Sequence, residues 1–229
     1  MKRFLFICFF SFFTTPLFAE PSTWEIYKKD VLDIQQRISG WCSQDKAETL
    51  MDMVYEIKPM LIVEIGTLGG ATTFPMVCSL NFLNRGVIYA IDAWDNEICL
   101  EGLTSDDPNR SYWMNLNIDM DSIYKYFLDW LTQLNLKKFC VPMRLRSDQA
   151  VNVFYDKSID LLYIDGNVSS EGSLKDVTLY FPKVAHGGYI WINHADLFTK
   201  NKAVAFLMKN CEWIRERSIG IQTIVFRKP

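Results

Sequence analysis

Short uninterrupted apolar runs alternate along this chain with longer stretches in which apolar residues recur every three or four positions. The first pattern marks strands buried on both faces, the second marks helices with one covered face. Runs at 60–65, 86–91, 139–143, 159–164 and 189–192 predict five strands. Two further strands are expected at 213–215 and 222–226, joined by a turn at Ser218-Ile219-Gly220. Helical spacing covers 23–38, where Trp24, Tyr27, Val31, Ile34 and Ile38 share a face, and recurs over 43–57, 74–83, 120–134, 170–181 and 197–210. Asp45, with Glu48 three residues later, reads as a capping box, and Pro59 as the stop of the second helix. Strands alternating with helices imply a parallel sheet covered on both sides. The short connection between the last two strands requires antiparallel pairing. The predicted fold is α/β, a doubly wound, mostly parallel seven-stranded sheet with an antiparallel edge strand.

Residues 1–19 fall outside this pattern. Lys2 and Arg3 precede a nearly continuous apolar stretch over 4–18, and Leu17-Phe18-Ala19 offers apolar or small residues for cleavage. The segment reads as a secretory signal peptide, too short for a membrane span and cleaved after Ala19, which implies export to the periplasm or the medium. The expected division is a signal peptide over 1–19, an N-terminal helical cover over 20–58 and an α/β domain over 59–229. A length of 229 residues, 49% of them hydrophobic, suits one domain with a large core and excludes disorder. A formal charge of −3 without a basic stripe argues against nucleic acid as a partner. Beyond residue 19 no apolar run is long enough to cross a bilayer, and oligomeric state leaves no mark on the sequence. The five cysteines past the leader lack metal or redox spacing: Cys78, Cys140 and Cys211 read as core residues, Cys42 and Cys99 as loop residues.

The chemistry is expected beyond the carboxyl ends of the strands, where doubly wound sheets bind ligands. The first strand ends in Glu64 and the loop Gly66-Thr67-Leu68-Gly69-Gly70, followed by Thr72 and a helix start. Bare backbone and unpaired amides at such a turn suit a ligand. The second strand ends in Asp92-Ala93-Trp94, one strand–helix–strand unit further on. A carboxylate there can accept two hydrogen bonds from a ribose diol, and the indole can stack on a base. Ser147-Asp148-Gln149 follow the third strand and can read the base edge, Asp165 ends the fourth, and Asn193-His194-Ala195-Asp196 end the fifth. The segment 96–117, with Asp106-Asp107-Pro108 and Tyr112-Trp113, is read as a loop. It is either a lid that shapes an acceptor pocket or a surface insertion. The first loop is not G-x-G-x-x-G, and its spacing suits a nucleoside better than a dinucleotide.

Taken in order, Val63-Glu64-Ile65-Gly66-Thr67-Leu68-Gly69-Gly70, Ala90-Ile91-Asp92-Ala93-Trp94, Leu161-Leu162-Tyr163-Ile164-Asp165-Gly166 and His186-Gly187-Gly188-Tyr189 resemble the class I S-adenosylmethionine-dependent methyltransferases. The nearest branch is that of small-molecule O-methyltransferases. The resemblance implies the Rossmann-like methyltransferase fold, with S-adenosyl-L-methionine as cofactor and a small molecule bearing a hydroxyl as methyl acceptor. It implies that Glu64, Gly66, Thr67, Gly70 and Thr72 hold the amino acid end of the cofactor. Asp92, Ala93 and Trp94 would hold the ribose side, and Ser147, Asp148 and Gln149 the adenine. Asp165 would face the reacting methyl group or a divalent metal such as Mg, with Asn193 and Asp196 as further oxygen ligands. As the alternative to a metal, His194 is by its own chemistry a candidate general base at neutral pH.

Two departures bear on activity. Many relatives carry Asp-Gly-Asp-x-His after the fourth strand, where this chain has Asp165-Gly166-Asn167-Val168-Ser169, and many carry acids where it has Asn193-His194. A signal peptide also conflicts with a cofactor made in the cytosol. The competing readings are an exported, non-catalytic binding protein on a methyltransferase scaffold and, from another class, an NAD(P)-dependent oxidoreductase.

Overall fold

Seven strands form one sheet in the computed structural model, which describes residues 23–220 and 222–229. They are β1 (Leu61–Ile65), β2 (Val87–Asp92), β3 (Cys140–Arg144), β4 (Ile159–Ile164), β5 (Val184–Ile192), β6 (Glu212–Trp213) and β7 (Ile224–Arg227). Their spatial order is 3-2-1-4-5-7-6. β1 to β5 run parallel, while β7 is reversed and lies between β5 and the two-residue edge strand β6. Antiparallel pairing is thus confined to one edge, as the short final connection requires. β5 starts at Val184 instead of Tyr189, because Val184 pairs with Ile159 across a register shift that draws His186-Gly187-Gly188 into the strand. The expected signal peptide over 1–19 lies outside the described residues.

The helices are α1 (Trp24–Gln35), α2 (Gln44–Ile57), α3 (Thr73–Leu83), α4 (Pro108–Leu116), α5 (Met120–Gln133), α6 (Ser147–Ala150), α7 (Ser170–Tyr180) and α8 (Asn201–Asn210). Alternate strand residues face opposite sides of the sheet, so each run feeds two cores. Ile62, Leu161, Tyr163 and Trp191 pack with Tyr27, Met51, Phe74, Phe127 and Trp130. Val63, Leu162, Ile164 and Ile190 pack on the other side with Phe154, Tyr180 and Leu207. α1 and α2 pack against one another and against α3, and share the first of these cores.

Two local expectations change. α2 is capped by Ser43, whose Oγ accepts from the Lys46 amide at 3.3 Å, and not by Asp45. Within 96–117 the chain forms a helix, α4, where a loop was expected. Asp107 accepts from the Asn109 amide at 2.8 Å and Pro108 occupies the first turn, a strong helix start. No α4 residue is fully buried, so the apolar periodicity that would reveal such a helix is missing. Chain order reverses between β1 and β4, and the crevice above that point is where a ligand meets both halves of the sheet.

Candidate active site

The loop after β1 is tied from within. Glu64 is fully buried, and its carboxylate accepts from the hydroxyls of Thr72 (2.5 Å), Thr73 and Thr67 (3.4 Å). Burial pushes its carboxyl up to about 7, against the pull of those three hydroxyls. Glu64 therefore anchors the loop and does not reach the cavity above it, contrary to its expected contact with the cofactor. Gly66 has φ +89°, and a Cβ there would stand 2.4 Å from the Asp165 carbonyl oxygen, so only glycine lets β1 and β4 end this close together. Gly70 is also turned inward, with Trp130 and Phe127 where its side chain would be. Of the two glycines expected to meet a ligand, Gly66 lines the cavity with Thr67 and Thr72, and Gly70 does not.

Asp92, at the end of β2, braces the second wall. Its Oδ2 accepts from the Leu68 amide (2.9 Å) and its Oδ1 from the Trp94 amide (2.8 Å), which joins the first two strand ends. Burial raises its pKa while these backbone donors oppose the rise. Asp92 and Ala93 line the cavity. Trp94 does not: φ of +44° turns it into the core, where its Nε1 donates to the Leu68 carbonyl (2.8 Å) and its ring meets Tyr124 and Phe127. A stacking role on adenine is therefore closed to it.

Beyond β3, Ser147 donates to Asp176 of α7 at 2.5 Å, and Tyr180 donates to the Ser147 carbonyl at 2.8 Å. Burial pushes the Asp176 carboxyl up to about 6. Lys175 and Arg146 flank Asp148 and hold its pKa below the usual carboxylate range. Ser147, Asp148 and Asp176 line the cavity, whereas Gln149 is exposed and accepts from the Arg146 amide as part of the α6 cap.

At the ends of β4 and β5, Asp165 and His194 share the cavity wall, with Oδ1 and Nε2 3.5 Å apart. His194 sits at φ +54°, and nearly half its side chain is exposed toward solvent. Asn193 is buried behind them and gives its Nδ2 to Asp165 Oδ2 at 2.9 Å. Its Oδ1 is taken by Lys46 Nζ and Thr223 Oγ1, both at 2.9 Å. This donor set does not fit the expected metal site. Asn193 presents N–H to the carboxylate, its oxygen is already bonded twice, and Asp196 is exposed away from the cavity. Among the described residues no group of three His, Cys, Asp or Glu side chains is placed to hold a metal.

The cavity enclosed by these strand ends measures about 630 Å³, within the range of cofactor sites. Its mouth is aromatic: Trp41 stands edge-on to Trp113 (centroids 5.7 Å apart) and beside Tyr112 (6.2 Å). Glu101 and Asp95 add acids from the segment after β2, and Glu101 pairs with Arg146 at 2.7 Å. Tyr112 and Trp113 come from the segment expected to shape a pocket. Trp41, Lys46 and Asp176 were missed. Trp41 had a readable signal, a tryptophan in the turn between two helices, whereas Lys46 and Asp176 sit among other charges on helix faces.

Residues 63–194, more than half of the chain, match the model of a methyltransferase domain, and the chain belongs to that family. Its fold is that of the class I methyltransferases. The O-methyltransferase NovP superposes with a TM-score of 0.68 at 14% identity, covering 90% of this chain and 99% of that one. The SAH-bound methyltransferase PaMTH1 of Podospora anserina gives 0.62 at 10% identity, covering 89% and 88%. The O-methyltransferase of Bacillus cereus in complex with SAH gives 0.56 at 12%, covering 89% and 91%. No curated protein matches the chain by sequence.

Proposed function

We propose that this protein transfers a methyl group from S-adenosyl-L-methionine to a hydroxyl of a small, flat acceptor. The observation that carries this reading is the position of Asp92 and Asp165 on two walls of one cleft above Gly66. Asp92 keeps acceptor capacity beyond its bonds to backbone amides and is available to a ribose diol. Ser147 and Asp148 border the base end, and Thr67 with Thr72 the amino acid end. When bound, the cofactor supplies an electrophilic methyl group on a sulfonium. The chain's own task is then to hold the acceptor oxygen in line and to remove its proton.

His194 takes that proton at Nδ1, and Asp165, whose Oδ1 lies 3.5 Å from the other ring nitrogen, Nε2, stabilises the imidazolium that results. Trp41, Tyr112 and Trp113 cover the faces of the acceptor and exclude water. No step runs through a metal, since the donor set around Asp165 does not suit one.

Calorimetric titration with S-adenosylmethionine tests binding, and transfer of a labelled methyl group to a panel of hydroxyl compounds tests reaction. Asp165→Ala should abolish transfer while sparing cofactor affinity; unchanged transfer rejects the site assignment. Saturable cofactor binding with no transfer to any acceptor would favour the non-catalytic binding reading, which the Asn167 and Asn193 departures support. Nicotinamide dinucleotide binding that is lost in Asp92→Ala would favour the oxidoreductase. The N-terminal segment adds export to this proposal, so the cofactor must be supplied where the protein is delivered. Fractionation with N-terminal sequencing tests that: an intact Met1 in the cytosol rejects it.

A further inference from the structure

Asp165 is held by a chain of side chains that begins on the N-terminal helices. Lys46 of α2 donates from Nζ to Asn193 Oδ1 (2.9 Å), Asn193 Nδ2 donates to Asp165 Oδ2 (2.9 Å), and Asp165 Oδ1 is left facing His194 Nε2 (3.5 Å). Thr223 Oγ1 adds a second donor to the same Asn193 oxygen at 2.9 Å. An amide has one acceptor end and one donor end. With two donors on its oxygen, Asn193 can meet the carboxylate only with its N–H, which fixes which Asp165 oxygen points at His194.

We infer that Lys46 is a positioning residue whose ammonium does the work a divalent cation would do at this strand end, by fixing the Asn193 amide and through it the Asp165 carboxylate. The inference rests on the proposed role of Asp165 and His194. The physical ground is mutual exclusion. A hard cation needs oxygen from Asn193 as well as from Asp165. Turning the amide over would strip Lys46 and Thr223 of their acceptor and set the Asn193 oxygen against the carboxylate. Other titratable groups act on Asp165 from every side: Glu64 of β1, Cys42 before α2, Tyr163 of β4, Lys200 before α8, and His194. Lys200 is buried with no hydrogen-bond partner among the described residues and its pKa is lowered by that burial, whereas Lys46 is half-buried and bonded into the chain.

The test uses Mn²⁺ as probe and needs neither acceptor nor turnover. Wild type should show no saturable Mn²⁺ binding by electron paramagnetic resonance, and the double variant Lys46→Met/Asn193→Asp should gain one site that is lost again on adding Asp165→Asn. Mn²⁺ binding by wild type that disappears in Asp165→Asn overturns the inference, and so does a folded double variant that binds no Mn²⁺. Should the double variant not fold, the side-chain amide resonances of Asn193 decide. They should shift in Lys46→Met and return in Lys46→Arg; resonances unmoved in Lys46→Met overturn the inference. S-adenosylmethionine titrated into wild type in parallel reports on the function reading alone, so failure of either claim is visible separately.

Discussion

The side-chain amide of Asn167 donates to the backbone carbonyl of Glu101 at 2.9 Å, so the turn after β4 holds down the segment that follows β2. Its other end accepts from the Ser169 amide at 2.7 Å, which fixes the direction of the donor. A carboxylate at this position would face the Glu101 carbonyl with lone pairs only. The residue that departs from the common Asp-Gly-Asp pattern thus has a structural task in this chain, as a clasp on the cavity's outer wall. Asn167→Asp should speed amide exchange around residues 99–105 by roughly tenfold, the loss expected for one hydrogen bond. Hydrogen exchange read by mass spectrometry checks this, and unchanged rates there remove the clasp.

Asp92 joins the Leu68 and Trp94 amides across two strand ends. Asp92→Asn keeps the shape, loses the charge and turns a donor toward one of those amides. Affinity for S-adenosylmethionine should fall by about 10- to 100-fold, the range for a hydrogen bond to a charged group. Calorimetry on the folded variant measures it, and an affinity equal to wild type would remove Asp92 from the ribose site.

Glu64 makes stability depend on pH. Its folded carboxyl titrates at about 7 against 4.5 for a free one, so between those values the folded state holds more protons than the unfolded. The contribution of Glu64 to stability should therefore be fully present below about 4.5, fall as pH rises toward 7, and be lost above it. Asp176, pushed up to about 6, adds a slope of the same sign over a lower window. Glu64→Gln should remove part of the slope, at most about 3 kcal/mol between pH 4.5 and 7. Urea unfolding of wild type and variant at pH 5 and pH 8 compares the two; equal slopes would place the Glu64 pKa near its free value.

Gly70 tests the inward half of the loop. A methyl group there meets Trp130 at 2.6 Å and Phe127 at 2.8 Å, on a backbone at φ +89°. Gly70→Ala should destabilise the protein by about 2–4 kcal/mol from overpacking and left-handed strain together. Chemical unfolding measures this, and a loss below 1 kcal/mol would mean that the two rings move aside.

The alternation of apolar runs with helical spacing was enough to reveal the parallel sheet, the reversed pairing at its end and the strand ends where Asp92, Asp165 and His194 stand. Burial of a strand on both faces leaves a mark in consecutive residues, and that mark is local. Helix α4 left no such mark, because none of its residues is fully buried and it carries no apolar stripe. The direction in which a side chain leaves a turn is not local either. Glu64 and Trp94 occupy positions that suggest a ligand, yet three hydroxyls and a left-handed backbone turn them into the interior. The sequence by itself determined the sheet and which strand ends meet over Gly66. Only the tertiary structure decided that Lys46, 147 residues before Asn193 in the chain, orients the amide that holds Asp165, because that contact depends on how α2 packs beside the sheet.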